Sequence, residues 1–177
     1  MKIRIIGSVG SGKTTLAKKL SEWQKIDYFE TERIVWKREE TEVRRTDSEK
    51  AALLTTILQN ENWIIEGVHL EDWATESITQ ADAIIFLDLP KKQIRSQLIK
   101  RQIKQLLRLE AAHYPIRLTM LKKMFYWDEL FEKRTKPLIT EQIALNPEKW
   151  LIIKENTNIQ VIQKRLLQMK ATQNNSF

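Results

Sequence analysis

The sequence has 177 residues, 42% of them hydrophobic, with four prolines, four glycines and a formal net charge of +7. That is enough apolar content for one cored domain, and it excludes a fibrous or compositionally disordered chain. Zero cysteines exclude a disulfide framework and a thiolate metal site, two distant histidines argue against a zinc centre, and the positive balance suits a polyanionic nucleotide or a nucleic acid as partner.

Lys2-Ile3-Arg4-Ile5-Ile6 reads as a short buried strand. Its two basic residues break the apolar run that a signal peptide or membrane span needs, so the expected place is the cytoplasm. The next eight residues, Gly7-Ser8-Val9-Gly10-Ser11-Gly12-Lys13-Thr14, fit G-x-x-x-x-G-K-[ST] in full. Thr14-Thr15-Leu16-Ala17-Lys18-Lys19-Leu20 follows as a helix with Leu16, Ala17 and Leu20 on one face. Strand, glycine loop, helix is the context in which this motif cradles phosphate, because the loop and the helix N-terminus aim backbone N–H groups at it. Lys13 then reaches the β- and γ-phosphates, and Thr14 sets its hydroxyl on Mg²⁺.

Ile26-Asp27-Tyr28-Phe29 is a second strand, followed by Glu30-Thr31-Glu32 and Arg33-Ile34-Val35-Trp36. The charged stretch 37–47 reads as a loop or loose helix start, and Ser48 is placed to cap a helix over 49–60. Trp63-Ile64-Ile65 is a third strand stopped by Glu66-Gly67, with His69 as a loop histidine. Ala83-Ile84-Ile85-Phe86-Leu87 is a fourth, ended by Asp88. Pro90 opens a helix carrying Ile94, Leu98, Arg101, Gln105 and Leu109 near successive turns. Pro115 interrupts this pattern. A further helix runs over 116–132, Pro137 starts a short one, Trp150-Leu151-Ile152-Ile153 is a fifth strand, and 159–169 is a closing helix.

Continuous apolar strands alternating with helices predict an α/β domain whose parallel sheet is covered on both faces. Right-handed crossovers put every strand's C-terminal end on one edge, so the glycine loop, Glu30, Glu32, Glu66 and Asp88 converge on one crevice. Asp88 suits either a magnesium-bound water or a plain strand-end or helix-capping role. Glu30 and Glu32, two apart in an extended segment, point the same way. They suit an acceptor hydroxyl or a water-held metal, or else two surface glutamates. Glu66 faces the phosphates or anchors the acceptor, Gly67 permits close backbone approach, and Trp36 floors an acceptor pocket or packs in the core. Arg101 sits near the core side of its helix and Arg134 just before Thr135-Lys136-Pro137, beside a possible lid hinge. These two, with Arg95, Arg108 and Arg117, are the candidates for closing on a migrating phosphoryl group.

The chain resembles the nucleoside-monophosphate-kinase-like branch of P-loop proteins. Within that branch it is similar to the small bacterial adenylate-kinase-like proteins often labelled DNA topology modulation proteins. The resemblance rests on residues 7–14, on Glu32 four before Trp36, on Trp63-Ile64-Ile65-Glu66-Gly67 and on Ile85-Phe86-Leu87-Asp88-Leu89-Pro90 with Arg101 beyond. The acidic pair Glu30 and Glu32 is also similar to that of shikimate-kinase-like proteins, where aspartates stand. The resemblance implies a single three-layer P-loop kinase domain over 1–177, with a five-stranded parallel sheet. It also implies an acceptor side at about 30–62 and a helical lid at about 101–137. The reaction implied is transfer of the ATP γ-phosphate to a nucleotide or another small metabolite. ATP-binding residues are then Gly7, Ser8, Val9, Gly10, Ser11, Gly12, Lys13, Thr14 and Thr15, with Thr14, Glu30 and Asp88 toward Mg²⁺. Lys13, Glu32, Arg101 and Arg134 serve catalysis, and Glu32, Trp36, Glu66 and Gly67 the acceptor. Residues 102–117 contain no glycine where the family has a glycine- and arginine-rich stretch, and Val68 and His69 replace the adenylate-kinase continuation Phe-Pro-Arg. The competing readings are a partner-stimulated ATPase or nucleotide switch, and an ATP-regulated protein associated with nucleic acid.

Overall fold

The computed structural model describes residues 1–38, 42–107 and 118–174. Leu109, His113, Pro115 and the candidate arginines Arg108 and Arg117 lie outside them, as does part of the expected lid. The strands are β1 (Lys2–Gly7), β2 (Tyr28–Glu30), β3 (Trp36–Arg38), β4 (Glu42–Arg44), β5 (Trp63–Glu66), β6 (Ala83–Leu87) and β7 (Trp150–Ile153). The helices are α1 (Lys13–Gln24), α2 (Thr31–Val35), α3 (Asp47–Leu58), α4 (Asp72–Thr79), α5 (Lys91–Leu106), α6 (Leu118–Leu130), α7 (Lys136–Leu145) and α8 (Ile159–Asn174). Five strands form one parallel sheet in the order β2-β5-β1-β6-β7.

The sheet separates two cores because neighbouring side chains of a strand point to opposite faces. Ile3 and Ile5 of β1, Ile64 of β5 and Ala83, Ile85 and Leu87 of β6 meet Leu16, Ala17 and Leu20 of α1, Ile94 and Leu98 of α5, Met124 of α6 and Leu166 of α8. On the other face Ile6, Ile65, Ile84 and Phe86 meet Ile34 and Val35 of α2, Leu54 and Leu58 of α3, Trp73 of α4, Phe131 just before α7 and Ile139 of α7. Helix, sheet, helix is the three-layer P-loop kinase architecture. Burial on both sides explains why the strands read as near-continuous apolar runs.

Four local expectations need correction. The charged stretch after Trp36 forms the antiparallel hairpin β3-β4, with Trp36 opposite Arg44 and Lys37 opposite Val43. The cap of α3 is Thr46, not Ser48. Thr46 Oγ1 accepts from the Glu49 N–H while the Glu49 carboxylate accepts from the Thr46 N–H, a reciprocal capping box that Ser48, already inside the helix, lacks. Helix α4, between the third and fourth expected strands, was not foreseen. Pro137 does not start a new helix: α6 and α7 are one helical course through the π-helical turn Phe131–Thr135, where the Lys136 N–H reaches back five residues to the Phe131 carbonyl. A proline lacks an N–H and crowds the carbonyl four residues before it, and a widened turn relieves that crowding without ending the helix.

Candidate nucleotide and acceptor site

The glycine loop takes a shape that side chains would block. A Cβ on Gly7 would lie 2.7 Å from Ser11 Oγ and 3.0 Å from Leu87 Cβ. Gly10 and Gly12 have φ of 77° and 93°, and a Cβ on Gly10 would lie 2.6 Å from Leu98 Cδ2 of α5. Gly12 is the N-cap of α1 and gives it no side-chain bond. The first N–H groups of α1, those of Lys13, Thr14 and the exposed Thr15, therefore have no cap competing for them. Buried Ser11 Oγ has no hydrogen-bond partner in the structure. A phosphate chain fits such a cradle, since it accepts many N–H bonds and carries the charge that a helix N-terminus favours.

Lys13 Nζ donates to the Ser8 carbonyl at 2.9 Å, folding across the loop. Burial lowers its pKa, Glu66 and Glu32 counter that, and the nearby charges of Arg4 and Arg101 add to the lowering. Arg101 of α5 is half-buried, and its charge is one of those that act on the loop lysine. Arg134 sits exposed in the π-helical turn. Thr14 Oγ1 donates to Glu66 Oε1 at 2.5 Å. Glu66 is thus the carboxylate that touches Thr14, and the two offer adjoining oxygen donors of the kind Mg²⁺ takes beside water and phosphate oxygens. Among the described residues no group of three or more His, Cys, Asp or Glu is placed to hold a metal by itself.

Asp88 and Glu30 make other bonds. Asp88 Oδ1 pairs with Lys136 Nζ at 2.5 Å, and that ammonium also reaches Glu132 at 3.4 Å. Glu30 Oε1 pairs with Arg33 at 3.2 Å. Glu30 and Glu32 do not point the same way, because β2 ends at Glu30 and α2 begins at Thr31. Helical rotation turns residues two apart to roughly opposite sides, so Glu32 swings to His69 Nε2 at 3.5 Å. The other ring nitrogen, Nδ1, lies 3.0 and 3.1 Å from the two oxygens of Glu71. Burial opposes a charged imidazole, but the neighbouring carboxylates of Glu32 and Glu71 outweigh it and hold the His69 pKa above its ordinary value. The same contact, partly offset by burial, pulls Glu71 down to about 2.

Two close approaches fix this corner. Gly67, with φ 149°, sits so near α2 that a Cβ there would lie 1.7 Å from Thr31 Oγ1. Arg4, fully buried on β1, donates to the carbonyls of Ile5, Ile65 and His69 at 3.1, 3.2 and 2.9 Å. Desolvation lowers its pKa to about 10 despite Glu66 and Glu71. Trp36 begins β3 partly buried against the second core, close to the α2 residues that carry Glu32. Glu66 at the end of β5 touches Thr14 of the loop, Glu32 of α2 acts on the loop lysine, and Gly67 abuts α2 at Thr31.

Sequence reasoning missed Arg4, Asp128 and Lys136. Asp128 of α6 is 0% exposed, and its Oδ1 accepts from Ser8 Oγ at 2.6 Å. An arginine inside an apolar strand was a readable signal, because a buried guanidinium needs carbonyl or carboxylate partners. Asp128 and Lys136 are charges on helices that look like solvated faces, and nothing local marks their partners.

The fold is shared with kinases of low sequence identity. The deoxyadenosine kinase from M. mycoides, with bound dATP, superposes with a TM-score of 0.61 at 17% identity, covering 94% of this chain and 99% of that one. A sugar kinase from Janibacter sp. HTCC2649 gives 0.54 at 17% identity, covering 96% and 93%. A gluconokinase from Sinorhizobium meliloti 1021 gives 0.53 at 14%, covering 97% and 91%. No curated protein sequence matches the chain. Among the described residues no helix is long and apolar enough to cross a membrane. The family model described as AAA domain matches residues 3–115, from the first strand through the glycine loop and the sheet's central strands, and the chain belongs to that family.

Proposed function

We propose that this protein is an ATP-dependent, Mg²⁺-assisted phosphotransferase of the P-loop kinase type, acting on a hydroxyl of a small metabolite or nucleotide. The observation that carries this reading is the α1 N-terminus. Its uncapped N–H groups, Lys13 and the Thr14–Glu66 pair gather on one edge of the sheet, beside a second cluster built around Glu32. The loop amides and α1 hold the triphosphate. Lys13 and Arg101 neutralise charge developing on the migrating phosphoryl group. Thr14 and Glu66 would hold Mg²⁺, which would supply positive charge to neutralise the phosphates. Glu32 orients the acceptor hydroxyl and takes its proton. Arg134 stands at the hinge of a helical lid that keeps water out.

The acceptor edge favours a hydroxyl that is not flanked by a second phosphate. Glu32, Glu66 and Glu71 gather there, while Arg4 is spent on backbone carbonyls and Arg33 on Glu30. The neighbours named for deoxyadenosine, sugar and gluconate as acceptors agree with that chemistry. An ATP-consumption screen against nucleosides, nucleoside monophosphates, sugars and hydroxy acids, read by product mass, tests it. Acceptor-dependent ADP with a singly phosphorylated product is expected. Hydrolysis that rises only with a protein partner, or nucleic-acid binding with steep salt dependence and structure preference, would replace the kinase reading with the switch or the nucleic-acid reading.

A further inference from the structure

We propose that Asp128 is a positioning residue of the nucleotide site, holding the glycine loop through Ser8 in the shape that receives a phosphate chain; this rests on the ATP-binding part of the reading above. Asp128 stands on α6 and is 0% exposed, and its Oδ1 accepts from the hydroxyl of buried Ser8 at 2.6 Å. That short distance suits a hydroxyl bound to an ionised carboxylate, the stronger kind of hydrogen bond. Asp128 Oδ2 has no hydrogen-bond partner among the described residues, so the grip of this carboxylate falls on Ser8. Taking a carboxylate out of water is costly. A helix that needed only packing at this position would be served better by an apolar residue.

Ser8 is the point from which the loop can be held. Its carbonyl accepts from Lys13 Nζ at 2.9 Å and from the Ser11 N–H at 3.2 Å. One carbonyl thus carries the loop's ammonium and closes one of its turns, while the side chain of the same residue is tied to α6. Elsewhere the loop is bounded by packing: a Cβ on Gly7 would meet Leu87, and one on Gly10 would meet Leu98. Packing sets how close the loop comes to β6 and α5, whereas a hydrogen bond is directional and turns Ser8 one way.

The placement of Asp128 is itself braced. Further along the same helical course Lys136 pairs with Asp88 at the end of β6. Rotation of about 100° per residue would leave Lys136 roughly 80° round the helix from Asp128. The π-helical turn Phe131–Thr135 takes up one extra residue and brings the two onto one face, within roughly 20° of each other. The helix is therefore pinned on both sides of its wide turn. A loop held this way is ordered before a phosphate chain arrives rather than on its arrival.

Calorimetric titration of the full, folded chain with ATP and Mg²⁺ tests this without turnover. Asp128→Ala removes the acceptor, Ser8→Ala removes the donor, and Asp128→Asn keeps an acceptor oxygen in a side chain of the same shape. The expected result is a Kd about tenfold higher for Asp128→Ala and for Ser8→Ala, and within about threefold of wild type for Asp128→Asn. The double variant Ser8→Ala with Asp128→Ala is expected to bind as either single variant does, because each removes the same bond. A merely structural Asp128 would lower the urea midpoint and leave the Kd of the folded protein as it was. That outcome would overturn the role. So would an Asp128→Asn variant as weak as Asp128→Ala, or losses that multiply in the double variant. If Asp128→Ala does not fold, Ser8→Ala and Asp128→Asn carry the test, and a Ser8→Ala Kd equal to that of wild type overturns the role. Wild type that binds no ATP would instead bring down the ATP-binding reading, and this role with it.

Discussion

The two walls of the cleft are made of different material. The donor wall is main chain: two left-handed glycines, an uncapped helix start and one lysine, all from consecutive residues. The opposite wall is a set of side-chain pairs between elements far apart in sequence. Asp88–Lys136 and Glu32–His69 each join separate elements. A wall of backbone tolerates no change of shape but needs no partners. A wall of pairs tolerates changes of shape and fails when a partner is removed. The donor wall should therefore answer to substitutions of charge and Cβ, the other to substitutions that break a pair.

Removing the donor wall's charge gives the largest effect. Lys13→Ala deletes the ammonium that bridges to Ser8 and that, on the proposed kinase reading, serves the γ-phosphate, and loss of one such transition-state contact costs about 10²–10³-fold in rate. Lys13 is half-buried with its proton affinity lowered by burial, so its removal takes away a charge that the fold disfavours. The domain should stay folded by far-UV circular dichroism while transfer, or ATP hydrolysis, is lost. Full activity in this variant would remove Lys13 from the chemistry and with it the contrast between the walls.

The same contrast explains what was legible in the sequence. Residues 7–14 carry their own geometry, because glycine at Gly10 and Gly12 is required by local φ, and the apolar runs of β1, β5 and β6 carry theirs because both faces are buried. The parallel sheet and the edge where its strand ends meet followed from those runs, whereas the strand order did not. What stayed hidden depends on partners. Asp88 read as a candidate near magnesium because it ends a strand, and nothing in its neighbours reveals Lys136. Glu66 was placed at the crevice without a partner, and its bond to Thr14 emerges only from the β1-β5 register. The hairpin β3-β4 was concealed by charge, since Trp36-Lys37-Arg38 and Glu42-Val43-Arg44 lack an apolar run on either side.

Gly67 joins the two walls and should show the next largest effect. A Cβ there meets Thr31 Oγ1 at 1.7 Å and Thr31 Cβ at 2.9 Å, and φ is 149°. Thr31 is 1% exposed and cannot swing into solvent. Gly67→Ala should cost about 2–5 kcal/mol from overpacking plus backbone strain, read as a lower urea midpoint. Adding Thr31→Ala removes most of the clash and leaves the φ penalty, so the double variant should recover a substantial part of the loss. Purely additive losses would mean that the clash is relieved elsewhere and that α2 is not held by this approach.

The smallest effect separates pairing from shape by pH alone. The His69 pKa is raised above its ordinary 6.5, so folding favours the protonated ring. Its contribution is present in full below pH 6.5 and is lost as pH rises through the raised value. Glu71 is lowered from 4.5 to about 2, so its contribution is present above pH 4.5 and is lost as pH falls toward 2. The two shifts describe one contact, counted once, and the pair stabilises the fold most between about pH 4.5 and 6.5. Glu71 is an exposed residue, so solvent screening limits the gain to about 1 kcal/mol or less. Wild type should therefore lose stability relative to His69→Gln between pH 5.5 and pH 8.5 by up to about that amount, read as the difference in urea midpoints at the two pH values. The amino terminus and the other carboxylates titrate alike in both proteins and cancel in that difference. Parallel pH profiles would mean that Glu71 and Glu32 hold the ring by shape rather than by charge, and the outer wall would then resemble the donor wall after all.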